Sequence, residues 1–340
     1  MKKLKELFWK FYINTDKSRY DDKHIGTFSF WRLFILNLLK PGRLIKRFQY
    51  NQVFKNKNKI LEKYKNKKKN NFSDEKNKKI LKGLSDLFEN GVAVIPEYFS
   101  SKQIDNFLNQ NKQTIESLKN YKPDIPSYNS NNLSLSDELN SLWLDDGALT
   151  LLTSYIGNSV YARNYPEISY TYVPNTEFNK NSNFKRASDT WHVDHAVLFV
   201  IHILLDDVNE NDTCMEVVPG TQRIFNLGVN WSKNAIKDLN KKNIKCIGKK
   251  GTIHIHSGNV IHRLNPIKGS QRLALHLEFS PGPNILLDSA KISKSLNGGY
   301  NLNNLTEEKR EILKGIFPKK LFKGYDIKGD SIQPNKFKGI

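Results

Sequence analysis

The chain has 340 residues, enough to bury a sizeable core, and its 26% charged, 38% hydrophobic and 11% aromatic residues exclude fibrous and wholly disordered classes. Its net charge of +20 is concentrated at one end: residues 1–80 hold 23 basic and 7 acidic side chains and the other 260 hold 31 and 27, which argues against a nucleic-acid-binding surface spread over the whole fold. Two cysteines, Cys214 and Cys246, exclude a disulfide scaffold and a four-cysteine zinc site and point to a reducing compartment.

From Met1 to about Asn71 the chain is rich in Lys, Asn and aromatic residues, with one apolar stretch from Phe28 to Leu39 that Pro41 and Gly42 terminate. Arg43, Lys46, Arg47 and the run Lys63 to Lys69 follow it. A short apolar segment backed by a polybasic tract fits an interfacial helix on an anionic membrane surface, through residues 28–69. It fits equally a helix docked on the main domain in a Lys-biased sequence. No stretch reaches the roughly 18 apolar residues of a spanning helix. Lys10 interrupts the first apolar run with no cleavage site behind it, so the expected location is cytoplasmic, with peripheral membrane binding as an option.

Residues 74–89 are predicted helical from the spacing of Ile80, Leu81, Leu84, Leu87 and Phe88, ending at Asn90-Gly91 before a short apolar strand, Val92 to Ile95. Ser100 with Gln103 forms a capping box that opens a helix running towards Leu118. Residues 119–140 read as polar and irregular, and a helix around 146–156 ends at Gly157. Strands are then expected at Val160–Ala162, Ile168–Val173, Val197–Leu205, Met215–Val218, Gly251–His256, Val260–Arg263 and Arg272–Phe279. No crossover helix follows them, which favours an antiparallel sandwich or barrel. A helix at 307–316, with Thr306 as N-cap, closes the predicted set.

The chain lacks a Gly-rich phosphate loop, a dinucleotide fingerprint, a nucleophile elbow, HExxH and CxxC. What it has is histidine: seven of its eight fall between residues 192 and 276. In Trp191-His192-Val193-Asp194, residues two apart on a strand share a face, so His192 and Asp194 can reach one metal ion. His262 lies on a later predicted strand. Two imidazoles and one carboxylate make the facial triad that holds iron(II) with open positions for a chelating 2-oxo acid and dioxygen. Arg272 opens the next strand and shares a face with Ala274 and His276, while Leu273, Leu275, Leu277 and Phe279 share the other. An arginine facing a barrel interior needs an anionic partner, and its fork suits a carboxylate.

These segments resemble the phytanoyl-CoA dioxygenase family of iron(II)/2-oxoglutarate-dependent oxygenases. The resemblance rests on WHVDH at 191–195, VIHILLDDV at 200–208, CMEVVPGTQR at 214–223, GTIHIHSGNVIH at 251–262 and Arg272, with GVAVIPEYFS at 91–100 as the entry. It implies a mainly β fold with flanking helices and a double-stranded β-helix (jelly-roll, cupin-like) core. It implies iron on His192, Asp194 and His262, and Arg272 on the far carboxylate of 2-oxoglutarate. Dioxygen would then hydroxylate a small or lipid- or carrier-linked metabolite, with release of succinate and carbon dioxide. No side chain is needed as a general base. Trp191, His195, His256 and His276 are candidates for supporting or lining the site, while His202 and His254 read as structural or pocket-lining, since one iron needs only three protein ligands.

Three positions depart from the family pattern: Asp212-Thr213 where Asn-Gly is usual, Gln222 where His is usual, and Leu264 where a small polar residue is common. Asp194 is retained, which disfavours relatives that replace the carboxylate with a halide site. The expected organisation is a basic N-terminal extension at 1–72, a dioxygenase domain at 73–282 and a C-terminal extension at 283–340. A non-catalytic cupin-like binding or membrane-surface scaffold is the alternative. A nucleic-acid dealkylase fits less well, since no Arg follows Arg272 until Arg310.

Overall fold

Helices begin where the sequence supplies caps and stop where it supplies breakers. In the computed structural model, residues 56–66, 72–120, 127–130, 133, 136–157, 159–163, 165–173, 191–194, 199–223, 236–237, 239, 241–280, 300–301, 305–313 and 331–332 are described. Helix α1 spans Lys57–Asn66 and α2 spans Asp74–Asn90, the latter capped by the Ser73 hydroxyl, which accepts from the Lys76 amide. Gly91 ends α2 at φ 77°, a left-handed conformation that glycine adopts without strain. The predicted capping box is present, with Ser100 and Gln103 bonded reciprocally at the start of α3 (Ser101–Gln110).

The single helix expected to reach Leu118 is instead two. Asn111 turns its amide back onto the Phe107 carbonyl, and α4 (Lys112–Asn120) starts afresh. The segment read as irregular likewise holds strand β2 (Ser127–Ser130) and helix α5 (Asp137–Trp143). Helix α6 (Asp146–Ile156) follows, capped by Asp145 and closed by Gly157 as expected.

The remaining strands are β1 (Val92–Ile95), β3 (Tyr161–Ala162), β4 (Glu167–Tyr172), β5 (Phe199–Leu204), β6 (Cys214–Val217), β7 (Ile244–Cys246), β8 (Ile253–Ser257), β9 (His262–Asn265) and β10 (Gln271–Ser280). A small pair, β11 (Tyr300–Asn301) with β12 (Ser331–Ile332), and helix α7 (Glu307–Leu313) lie near the C-terminus. Strand β7 was not expected. It is short and carries a lysine between its two apolar residues, so it leaves little pattern to read. Every strand pairing among the described residues is antiparallel. One sheet runs β1-β8-β5-β10-β4-β2, with β3 also on β10, and a second runs β7-β6-β9.

The two sheets form a double-stranded β-helix, and alternation decides what each face does. Leu273, Leu275, Leu277 and Phe279 of β10 join Leu84, Leu87, Phe88 and Tyr155 in the main core under the helices. On the opposite face Val92 and Val94 pack on Met215, Val217 and Cys246 across the gap between the sheets. Strands β5 and β8 are therefore buried on both faces. Tyr64 of α1 and Leu305 and Leu313 near and on α7 enter the same main core, so parts of both expected extensions pack on the domain. The apolar stretch 28–39 and most of the basic tract lie outside the described residues. No helix among the described residues is long and apolar enough to cross a membrane.

One turn is unusually intolerant. Gly251, at φ 87°, lies in the turn that leads into β8, and a Cβ there would overlap the Phe99 carbonyl. That carbonyl cannot move freely, because the Phe99 amide donates to the Gly251 carbonyl at 3.0 Å. Gly251→Ala should lower unfolding free energy by about 3 kcal/mol, summing left-handed strain and backbone overlap, as denaturant melts would show.

Candidate metal and carboxylate site

His192 and Asp194 do not lie on a strand as the sequence reading placed them. His192 makes an isolated bridge with His262, their amides and carbonyls exchanging two bonds of 2.9 Å. The Asp194 amide then donates to Gly258 at 2.7 Å. The segment is pinned to the edge of the smaller sheet by these contacts. Even so, His192, Asp194 and His262 each bring a ligand atom within 4.8 Å of the others. His262 Nε2 stands 3.4 Å and His192 Nε2 3.8 Å from the Asp194 carboxylate.

The ring of His262 is held in one tautomer. Its Nδ1–H donates to the Val260 carbonyl at 2.9 Å, leaving the Nε2 lone pair towards Asp194. Burial pushes the His262 imidazole down to about 4, with Asp194 acting the other way, so it is neutral and able to ligate at neutral pH. For Asp194, burial opposes ionisation. The positive charge that His262, His256 and His192 take on at the acid pH where Asp194 would protonate outweighs it and holds the carboxyl well below its ordinary range. The carboxylate is thus ionised and His262 offers a lone pair, and two imidazoles with one carboxylate are a donor set suited to iron(II).

Trp191 is buried, and the Arg263 guanidinium lies 4.5 Å from its ring centroid. Arg263 in turn gives two bonds to Glu216, 2.9 and 2.7 Å long, so residues adjacent to both histidine ligand candidates are clamped together. The sequence reading found Trp191 but not this partner, because nothing in the local pattern pairs β6 with β9. His256 has its Nε2 3.7 Å from Asp194 and its ring centroid 4.5 Å from that of His262, so it lines the site. His276 lies further off on β10, bonded to His202 and Glu278. His195 falls outside the described residues.

Arg272 is 3% exposed, on the inward face of β10, and its Nε and Nη2 have no hydrogen-bond partner among the described residues. A buried guanidinium with two unpartnered nitrogens is a costly arrangement, and a carboxylate accepting both would relieve it. Asp206 provides charge nearby, yet its carboxylate accepts from the Leu273 amide, 3.1 Å from each oxygen. The neighbouring Asp207 accepts from Lys249 and from the Lys250 amide. Of the three departures, Thr213 bonds Ser270, and Gln222 reaches the Phe88 carbonyl. Leu264 is buried on β9.

Burial raises the Asp206 carboxyl to about 6, against the Leu273 amide and Arg272, which both favour its charge. Below about pH 4 the group is protonated folded or unfolded. As pH climbs towards 6 only the unfolded chain ionises, so folding loses roughly 1–3 kcal/mol and does not regain it above that range. Asp206→Asn should therefore raise the melting temperature at pH 8 and leave it unchanged at pH 4.

Among solved structures, the chain is similar to the non-heme alpha ketoglutarate dependent epimerase SnoN from nogalamycin biosynthesis, at 14% identity and a TM-score of 0.45, covering 60% of this chain and 81% of that one. It is also similar to EctD from S. alaskensis with bound Fe, at 17% identity and 0.45, covering 58% and 75%. The carbocyclase SnoK from nogalamycin biosynthesis gives 17% and 0.44, covering 63% and 85%. No curated protein matches the sequence significantly. The family model described as phytanoyl-CoA dioxygenase matches residues 87–272, more than half of the chain. That stretch contains His192, Asp194, His262 and Arg272, whose chemistry fits the family's iron(II) and 2-oxoglutarate, and the chain belongs to the phytanoyl-CoA dioxygenase family.

Proposed function

We propose that this protein is an iron(II)/2-oxoglutarate-dependent dioxygenase that hydroxylates a small molecule. The observation that carries the reading is the convergence of His192, Asp194 and His262 within 4.8 Å on the rim of a β-helix interior. His192, Asp194 and His262 would hold iron, and Arg272 would hold the far carboxylate of 2-oxoglutarate. When bound, iron with 2-oxoglutarate and dioxygen supplies the oxidising power to place a hydroxyl on a substrate C–H bond, with release of succinate and carbon dioxide.

The chain's own contribution is placement and exclusion. The Val260 carbonyl keeps the Nδ1 proton on His262, so its Nε2 stays free for the metal. Arg272 orients the dicarboxylate through its unpartnered nitrogens. The apolar contacts of Val92, Met215, Val217 and Val260 keep water from the interior. No side chain is required to abstract a proton. We also assign residues 73–282 as the catalytic domain, flanked by the extensions 1–72 and 283–340. A reducing, cytoplasmic location suits the two buried free thiols, Cys214 and Cys246.

The test is turnover without substrate. Protein purified under argon and loaded with iron(II) is given 2-oxoglutarate and then oxygen, and succinate is measured for wild type and His262→Ala. Slow succinate release that is lost in His262→Ala is the expected result. A wild type that binds neither iron(II) nor 2-oxoglutarate sinks the reading.

A further inference from the structure

Strands β8, β5 and β10 lie side by side, and their register places His254, His202 and His276 directly opposite one another. Imidazoles on an inward strand face are costly unless partnered. Here they bond in a row: His254 Nε2 to His202 Nδ1 at 2.7 Å, His202 Nε2 to His276 Nδ1 at 2.9 Å, and His276 Nε2 to the Glu278 carboxylate at 3.2 Å. Glu278 sets the direction, because a carboxylate only accepts. His276 must donate from Nε2 and therefore accept at Nδ1, so His202 donates from Nε2. The lone pair of His202 Nδ1 is left pointing at His254.

His256 completes the cluster. Its ring is parallel to that of His202, with centroids 5.9 Å apart, and neither of its nitrogens has a hydrogen-bond partner among the described residues. His254 Nδ1 is also buried without one. His202, His254 and His256 are 6%, 0% and 1% exposed, and each has a nitrogen within 4.8 Å of the others. Burial pushes the His202 and His254 imidazoles well below their ordinary range, so each keeps one unprotonated ring nitrogen.

We propose that His202, His254 and His256 form a second metal site, apart from His192, Asp194 and His262, that takes a borderline divalent ion such as zinc(II) or cobalt(II). Three imidazoles without a carboxylate suit such ions and not magnesium or calcium. The His276–Glu278 pair behind His202 is the outer support that metal-bound imidazoles use to fix their tautomer. Two nitrogens on one tetrahedral ion, with bonds of about 2.0–2.1 Å, stand roughly 3.3 Å apart. Ligation through His254 Nε2 moves that ring's proton to Nδ1, and the ion then opens the 2.7 Å gap that donation from His254 Nε2 to His202 Nδ1 otherwise closes. Arg272 opposes positive charge at His254 and His202, so this ion binds less tightly than one at the carboxylate-bearing triad.

The test is a cobalt(II) titration of the metal-free full chain under argon, read by its visible spectrum and by metal content after gel filtration. Two ions per chain are expected in wild type, the second binding more weakly. His254→Leu should lose the weaker ion and His192→Ala the tighter one, each keeping the other. One ion in wild type, or two in His254→Leu, overturns the proposal, and His202→Asn replaces His254→Leu should that variant fail to fold. A His192→Ala protein that keeps both ions, beside a His254→Leu protein that keeps one, would sink the triad reading and uphold this one.

Discussion

Arg272→Met should leave the metal-free protein as stable as wild type or more stable, by about 1–4 kcal/mol, while raising the KM for 2-oxoglutarate roughly a hundredfold. The two effects share one cause. Arg272 is 3% exposed and its Nε and Nη2 have no partner among the described residues, so the empty protein bears the cost of a desolvated charge. Methionine has similar length and no charge to desolvate. With the dicarboxylate bound the balance reverses, because the carboxylate accepts from both nitrogens and the variant leaves it unpaired. Thermal melts of metal-free protein and succinate formation against 2-oxoglutarate concentration measure the two halves. Arg272→Lys should not restore the KM, since an ammonium cannot offer a planar fork. A variant that melts several kcal/mol lower with an unchanged KM would make Arg272 a structural residue.

Asp194→Ala should reduce iron(II) binding and succinate formation more than a hundredfold while leaving the fold intact. Loss of a residue that only supports a ligand costs about 10–100-fold, so loss of the charged ligand itself costs more. The fold should survive because the segment is pinned through its backbone: the Asp194 amide bonds Gly258, and His192 and His262 exchange two main-chain bonds. Metal content, turnover and circular dichroism on one sample separate these effects. Retention of stoichiometric iron would show that the carboxylate is not a ligand.

The helices around α2 and α3 were legible because their signals are local: Ser73, Gly91 and the Ser100–Gln103 box all do in the structure what their types suggest. The break at Asn111 was not, since an asparagine inside an amphipathic pattern reads as a polar surface position until its side chain turns onto the Phe107 carbonyl. The division of β10 into two faces followed from alternation alone, and the structure places Leu273, Leu275 and Leu277 in the main core. Strand β7 left little periodic trace because it has only three residues.

At the site, the chain order Trp191-His192-Val193-Asp194, then His262, then Arg272, was enough to name the donors and their chemistry, because metal ligation depends first on residue type and spacing. The local conformation was misjudged: His192 and Asp194 reach one point through a single bridge to His262 and an amide bond to Gly258, and not through a strand. The pairing of Trp191 with Arg263 and Glu216 depends on how β6 lies against β9. The row His254–His202–His276 likewise depends on the register of three strands separated by up to 74 residues. Spacing along the chain carries residue identity and local periodicity. Which side chains share the interior is fixed by strand pairing, a long-range choice that no short stretch of this sequence encodes.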